Sequence, residues 1–83
     1  MSKILVEVYL PVASHAYDLF IPSKSRMYEI LNLLSKVAAE LSEGLFVASE
    51  DTIVCNRVDG SIYNLNMTPE ELGFKNGTKL MLL

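Results

Sequence analysis

The sequence predicts an α+β fold in which one amphipathic helix lies across one face of a mixed, five-stranded sheet. Three observations predict it. The N-terminal stretch alternates with period two, the middle switches to a helical period, and the C-terminal half returns to short apolar runs divided by Gly, Pro and Asn turns. The chain has 83 residues, which makes one domain spanning 1–83; 51% are hydrophobic, enough for a core, and 20% are charged, enough for a wettable surface.

The first strand runs from Lys3 to Leu10, with Ile4, Val6, Val8 and Leu10 on one face and Lys3, Leu5, Glu7 and Tyr9 on the other. Residues 11–16 make a short connection, and residues 17–21 alternate again before Pro22. An antiparallel hairpin follows, with Tyr17, Leu19 and Ile21 inward. Then Met27, Ile30, Leu31, Leu34, Val37, Ala38 and Leu41 recur at the spacing of one helical stripe, with Ser23 or Ser25 placed to cap the start and Gly44 to supply a left-handed stop. Burying such side chains is worth about 1.5–3 kcal/mol each, so a charge at Leu34, mid-stripe, should be the most damaging change on the helix.

Residues 44–51 carry no period and read as a loop. Residues 52–57 form a strand, Asp59-Gly60 a hairpin turn, and residues 61–65 the returning strand. Thr68-Pro69-Glu70-Glu71 begins like a helical turn, with a capping hydroxyl, proline at the first position and acids at the positive end; Gly73 stops it. Asn76-Gly77 turns the chain into a last strand over residues 78–83, with Leu80 and Leu82 inward. A single helix must bury its stripe on one face of the sheet, and parallel pairing of the first and last strands at the centre lays it there. That arrangement is the β-grasp.

Composition narrows function. A net charge of −3 argues against nucleic acid, which demands clustered Lys and Arg, and against docking on an anionic membrane. No apolar run is long enough to span a bilayer, the N-terminus lacks the pattern of a signal peptide, and a lone cysteine suits a reducing cytosol, so a cytoplasmic setting is expected. One cysteine, Cys55, excludes an internal disulfide; with no His beside it, it reads as a small buried thiol. His15, the one histidine, reads as a solvated turn residue with no partner for a metal site. Glu70-Glu71 are helix-start charges and Glu50-Asp51 a solvated loop. No catalytic residue, metal or cofactor is expected.

The outward sheet face is the candidate site. Alternation places Leu5, Tyr9, Phe20, Met81 and Leu83 there, joined by Val54, where a one-sided sheet is normally polar. Rimmed by Lys3, Glu7 and Lys79, these six residues form a surface for a protein partner or for a second copy of the chain.

The chain resembles the ubiquitin-like superfamily over nearly its whole length. Within it, the chain is similar to the YukD/EsaB family of type VII (ESX-like) secretion accessory proteins. The resemblance is carried by Ile4-Leu-Val-Glu-Val-Tyr-Leu10, Tyr17-Asp-Leu-Phe-Ile-Pro22, the helix through Leu41, Val58-Asp59-Gly60 and Leu72-Gly-Phe-Lys-Asn-Gly-Thr-Lys-Leu80. It implies a short cytoplasmic bacterial domain that serves secretion machinery without catalysis. Ubiquitin-type carriers continue into a Gly-Gly tail, whereas this sequence closes on Leu82-Leu83, so a non-conjugating module is expected. The alternatives are a sulfur-transfer or conjugation carrier lacking that tail and a self-associating structural domain.

Overall fold

The computed structural model describes residues 2–83. The chain forms β1 (Lys3–Leu10), a short 3-10 turn (Pro11–Ala13), β2 (His15–Pro22), α1 (Met27–Leu41), β3 (Val54–Asn56) and β4 (Thr78–Leu82). The sheet order is β2-β1-β4-β3, with β1 and β4 parallel at the centre and antiparallel partners outside them. One face of this sheet carries α1 and the core: Val6, Leu10, Ile21, Met27, Ile30 and Leu80 are fully buried, with Leu34 and Leu82 nearly so. The β-grasp expectation holds, with its central parallel pair.

β1 begins and ends where its alternation does. β2 is longer than expected, because the connection is tighter. Ser14 adopts the left-handed region at φ 48 and its N–H closes on the Pro11 carbonyl. His15 is therefore already a strand residue, opposite Leu10, with its ring 4.6 Å from that of Tyr17.

The sheet has four strands, not five. The expected return strand at 61–65 reduces to a single bridge between Cys55 and Ile62. Only its start stays on β3, the Ser61 carbonyl accepting from Asn56 N–H at 2.8 Å and Tyr63 N–H reaching the Val54 carbonyl at 3.5 Å; from Leu65 onward the backbone is claimed elsewhere. The first N–H groups of a helix have no partner within it; here the Met67 carbonyl accepts from Met27 N–H at 2.8 Å and the Leu65 carbonyl from Tyr28 N–H at 3.1 Å. The Arg26 side chain adds a bond to the Asn66 carbonyl. Residues 65–67 thus serve as a backbone cap for α1. The expected serine cap is not used: Ser23 is buried with its hydroxyl on the Ser2 carbonyl, and the N-cap position is Arg26.

The far end of α1 closes with the paired bonds of a Schellman motif, Gly44 N–H to the Ala39 carbonyl and Glu43 N–H to the Glu40 carbonyl. Gly44 is left-handed as expected, at φ 87, and Glu43 before it also takes the left-handed region, at φ 55. Leu41, expected in the core stripe, is half exposed, while Phe46 from the following loop joins the core, 5% exposed and anchored through its N–H to Ser42 Oγ. Residues 68–74 make the expected turn. Thr68 and Glu71 form a reciprocal capping box, Glu71 N–H to Thr68 Oγ1 at 3.1 Å and Thr68 N–H to Glu71 Oε1 at 2.9 Å. Gly73, at φ 77, ends it.

Candidate interaction surface

The register of the four strands assembles the outer face in rows. Side chains directly opposite one another across a ladder lie on the same face. One row runs Ala16, Tyr9, Met81, Cys55, Ile62. A second runs Asp18, Glu7, Lys79, and continues to Arg57, whose N–H bonds the Lys79 carbonyl. A third pairs Phe20 with Leu5. Two apolar rows therefore flank a charged one.

Five of the six expected residues lie on this face. Phe20 is 63% exposed and Leu83 49%, while Leu5, Tyr9 and Met81 are half-buried among their neighbours. Val54 is a correction. It is 1% exposed and packs in the core, because it pairs with inward-facing Leu82; Cys55 takes the outward parity instead. A three-residue strand offers too little alternation for its parity to be read without its partner.

Cys55 is nonetheless buried, with Sγ 3.7 Å from the Met81 carbonyl oxygen. Desolvation, helped by the nearby Asp59 charge, pushes its thiol above the ordinary value and keeps it neutral. Burial raises the Tyr63 phenol in the same way, with Asp59 and Cys55 adding to it. Asp59 moves the other way. It accepts from both the N–H and the hydroxyl of Ser61, which holds its carboxyl below the usual range.

Sequence reasoning missed Arg57. It ion-pairs with Glu7 at 3.0 Å, and its guanidinium lies 4.1 Å from the centre of the Tyr9 ring, a cation–π contact that covers part of the apolar row. Only the cross-strand register brings Arg57 beside Glu7, so no local pattern announces it. Among the described residues Asp18 and Lys79 make no ion pair, no His/Cys/Asp/Glu group is arranged to hold a metal, and no helix is long and apolar enough to cross a membrane.

No family model and no curated protein matches the sequence. Solved structures do match. The ubiquitin-like domain of EccD5 from Mycobacterium xenopi superposes with a TM-score of 0.83 at 19% identity, covering 100% of this chain and 94% of that one. The ubiquitin-like domain of the Mycobacterium tuberculosis type VII secretion system protein ECCD1 gives 0.81 at 17% identity, covering 100% and 99%. A chain of the ESX-5 inner membrane complex gives 0.82 at 16% identity, and there the match spans 21% of the larger chain. At these identities the likeness fixes the fold. The chain has the ubiquitin-like β-grasp fold, with one main helix on a four-stranded mixed sheet.

Proposed function

We propose that this chain is a non-catalytic interaction module, a cytoplasmic accessory or regulatory component of a bacterial type VII-like secretion system, as its similarity to the YukD/EsaB family suggests. The observation that carries the reading is the outer face: one side of the sheet is fully used by α1, while the other presents Phe20, Leu5, Met81 and Leu83 to solvent around a row of charges. Apolar rows flanking a charged row suit protein recognition, since the apolar side chains supply the driving force and the charges fix orientation. Likeness to ubiquitin-like domains of secretion proteins supports the setting.

A non-enzymatic role is supported by what the reactive groups are doing. The Cys55 thiol is buried and neutral, Glu71 is held in a capping box, and Asp59 is tied to Ser61. Each has a structural occupation. The test is affinity capture from the membrane fraction of a bacterium carrying type VII machinery, with wild type and Phe20→Asp as baits. Loss of a secretion-system component with the variant supports the reading, and equal recovery removes the outer face from it.

A further inference from the structure

We infer that the free edge of β2 is a second binding site, which takes an extended, basic peptide as an added antiparallel strand. The site is separate from the outer face on which the functional reading rests. It follows from where the backbone groups of β2 point. In an antiparallel ladder, opposed residues alternate between pairs that exchange hydrogen bonds and pairs whose N–H and C=O groups turn outward. Leu5 turns its backbone toward β4, its N–H donating to Asn76 Oδ1 and its carbonyl accepting from Gly77 N–H. Phe20, opposite Leu5, therefore turns its own groups away from β1, and by the same alternation so do Asp18 and Ala16. β2 is an edge of the sheet, and none of these groups finds a backbone partner among the described residues.

The other edge is closed. β3 has only three residues, and the chain folds back over it through Ser61 and Tyr63. β2 is left open. It runs for eight residues in unbroken register, without a bulge or a lysine, and its one proline stands last.

A trough runs beside this open edge. Leu33, Val37 and Leu41 recur every four residues along one flank of α1, the first and last of them half exposed. The opposite flank holds Leu31 and Ser42, and Ser42 receives Phe46 from the loop that leads to β3. The Leu33 flank therefore faces β2, where the Tyr17 hydroxyl donates to the Leu41 carbonyl at 3.1 Å. Half-buried Tyr17 and Leu19 make the floor. A strand laid along β2 sends every second side chain into this trough and the others out beside Phe20. β-Branched apolar residues suit the first set.

Charge selects the second set. Asp18 stands mid-edge with its carboxylate in no ion pair. Glu29 and Glu40 lie on the same side of the helix as Leu33, four residues before it and seven after. Lys36 points from the far side, two positions after buried Leu34. The incoming strand therefore carries a lysine or arginine opposite Asp18. A second copy of β2 does not fit, because the antiparallel register that uses Ala16, Asp18 and Phe20 together sets Asp18 against Asp18.

The experiment is an amide NMR titration of the isotope-labelled full chain with a short peptide blocked at both ends. Every second residue of the peptide is valine; the others are threonine or lysine, with lysine at the centre. Before peptide is added, amide exchange should alternate along β2, fast at Ala16, Asp18 and Phe20 and slow at Tyr17, Leu19 and Ile21. The contact is well below the size of a standard interface, so a dissociation constant of about 0.1–1 mM is expected, with the three fast amides slowed on binding. Methylating the backbone nitrogens of the peptide's lysine and threonine residues should weaken binding at least about tenfold, and glutamate in place of lysine about fivefold. Asp18→Lys should reverse that charge preference, and Leu33→Asp should weaken both peptides. Uniformly slow exchange in the free chain, slowing that depends on protein concentration alone, shifts confined to Tyr9 and Met81, or equal binding of the methylated peptide overturns the inference. Capture of a secretion component through Phe20 without peptide binding removes the edge site and leaves the functional reading. Peptide binding without such capture does the reverse.

Discussion

Replacing each of two phenylalanines by alanine separates the core from the outer face in one measurement. Phe46 is 5% exposed and packs into the core from the loop after α1, whereas Phe20 is 63% exposed on the outer face. Removing a buried Phe side chain costs about 3–5 kcal/mol; Phe46 sits in a loop that can settle into the space, so the lower end, about 3 kcal/mol, applies. Phe20 keeps roughly a third of its surface from water, and a third of the usual 1.5–3 kcal/mol for full burial is about 0.5–1 kcal/mol. An 83-residue domain has a total stability of roughly 4–12 kcal/mol, so the first change removes a large fraction of it and the second little. In urea, with a slope near 1 kcal/mol per molar, the midpoint should fall by about 3 M for Phe46→Ala and at most about 1 M for Phe20→Ala. Equal shifts, or a Phe46→Ala midpoint within 1 M of wild type, would refute the assignment of the two rings to opposite sides of the sheet.

Thr68→Ala deletes the acceptor for Glu71 N–H and should cost about 1 kcal/mol in chemical denaturation, with Thr68→Ser recovering most of it. Glu43→Gly relieves a non-glycine residue at φ 55 and should raise stability by about 0.5–1 kcal/mol net of added chain entropy, seen as a higher melting temperature. Asp59 has its carboxyl depressed by Ser61, so its contribution is complete above the ordinary value of 3.8 and is lost as pH falls through the lower folded value. Stability titrated from pH 6 to pH 2 should therefore fall less steeply in Asp59→Asn than in wild type. Cys55 should resist a thiol reagent in the native protein and react at the unfolding rate, since its neutral thiol is buried.

Much of the fold was legible where one local pattern had one reading. The alternation of Ile4 to Leu10 has a single solution, and β1 has the expected bounds. Thr68-Pro69 and Gly73 mark the turn at 68–74 because their chemistry acts over four residues. What escaped depends on distant chain. Ser61 to Leu65 alternates well enough for a strand, and Ser61 and Tyr63 do bond to β3, but the Leu65 carbonyl is taken by a free N–H of α1, a demand made by a segment nearly forty positions earlier. Phe46 lies in a stretch without period, so its anchoring role has no local sign. Val54 was misplaced because parity in a short strand is inherited from Leu82, across the ladder. The outer face followed from β1 and β2, whose registers are long; Arg57 and Ile62, brought to it by pairing alone, did not.

The placement of β4 between β1 and β3 has a bearing on how the molecule is made. The strand that joins the two halves of the sheet begins at Thr78, so a nascent polypeptide holding everything upstream has a hairpin and a helix but no closed sheet. The opening turn of that helix also waits for Leu65 and Met67 to leave the ribosome. At about 5–20 residues per second, several seconds separate synthesis of Leu10 from that of Leu80. During that interval the greasy stripe beneath Ile30 and Leu34 is open to chaperones, and protease resistance should arise abruptly once β4 clears the exit tunnel.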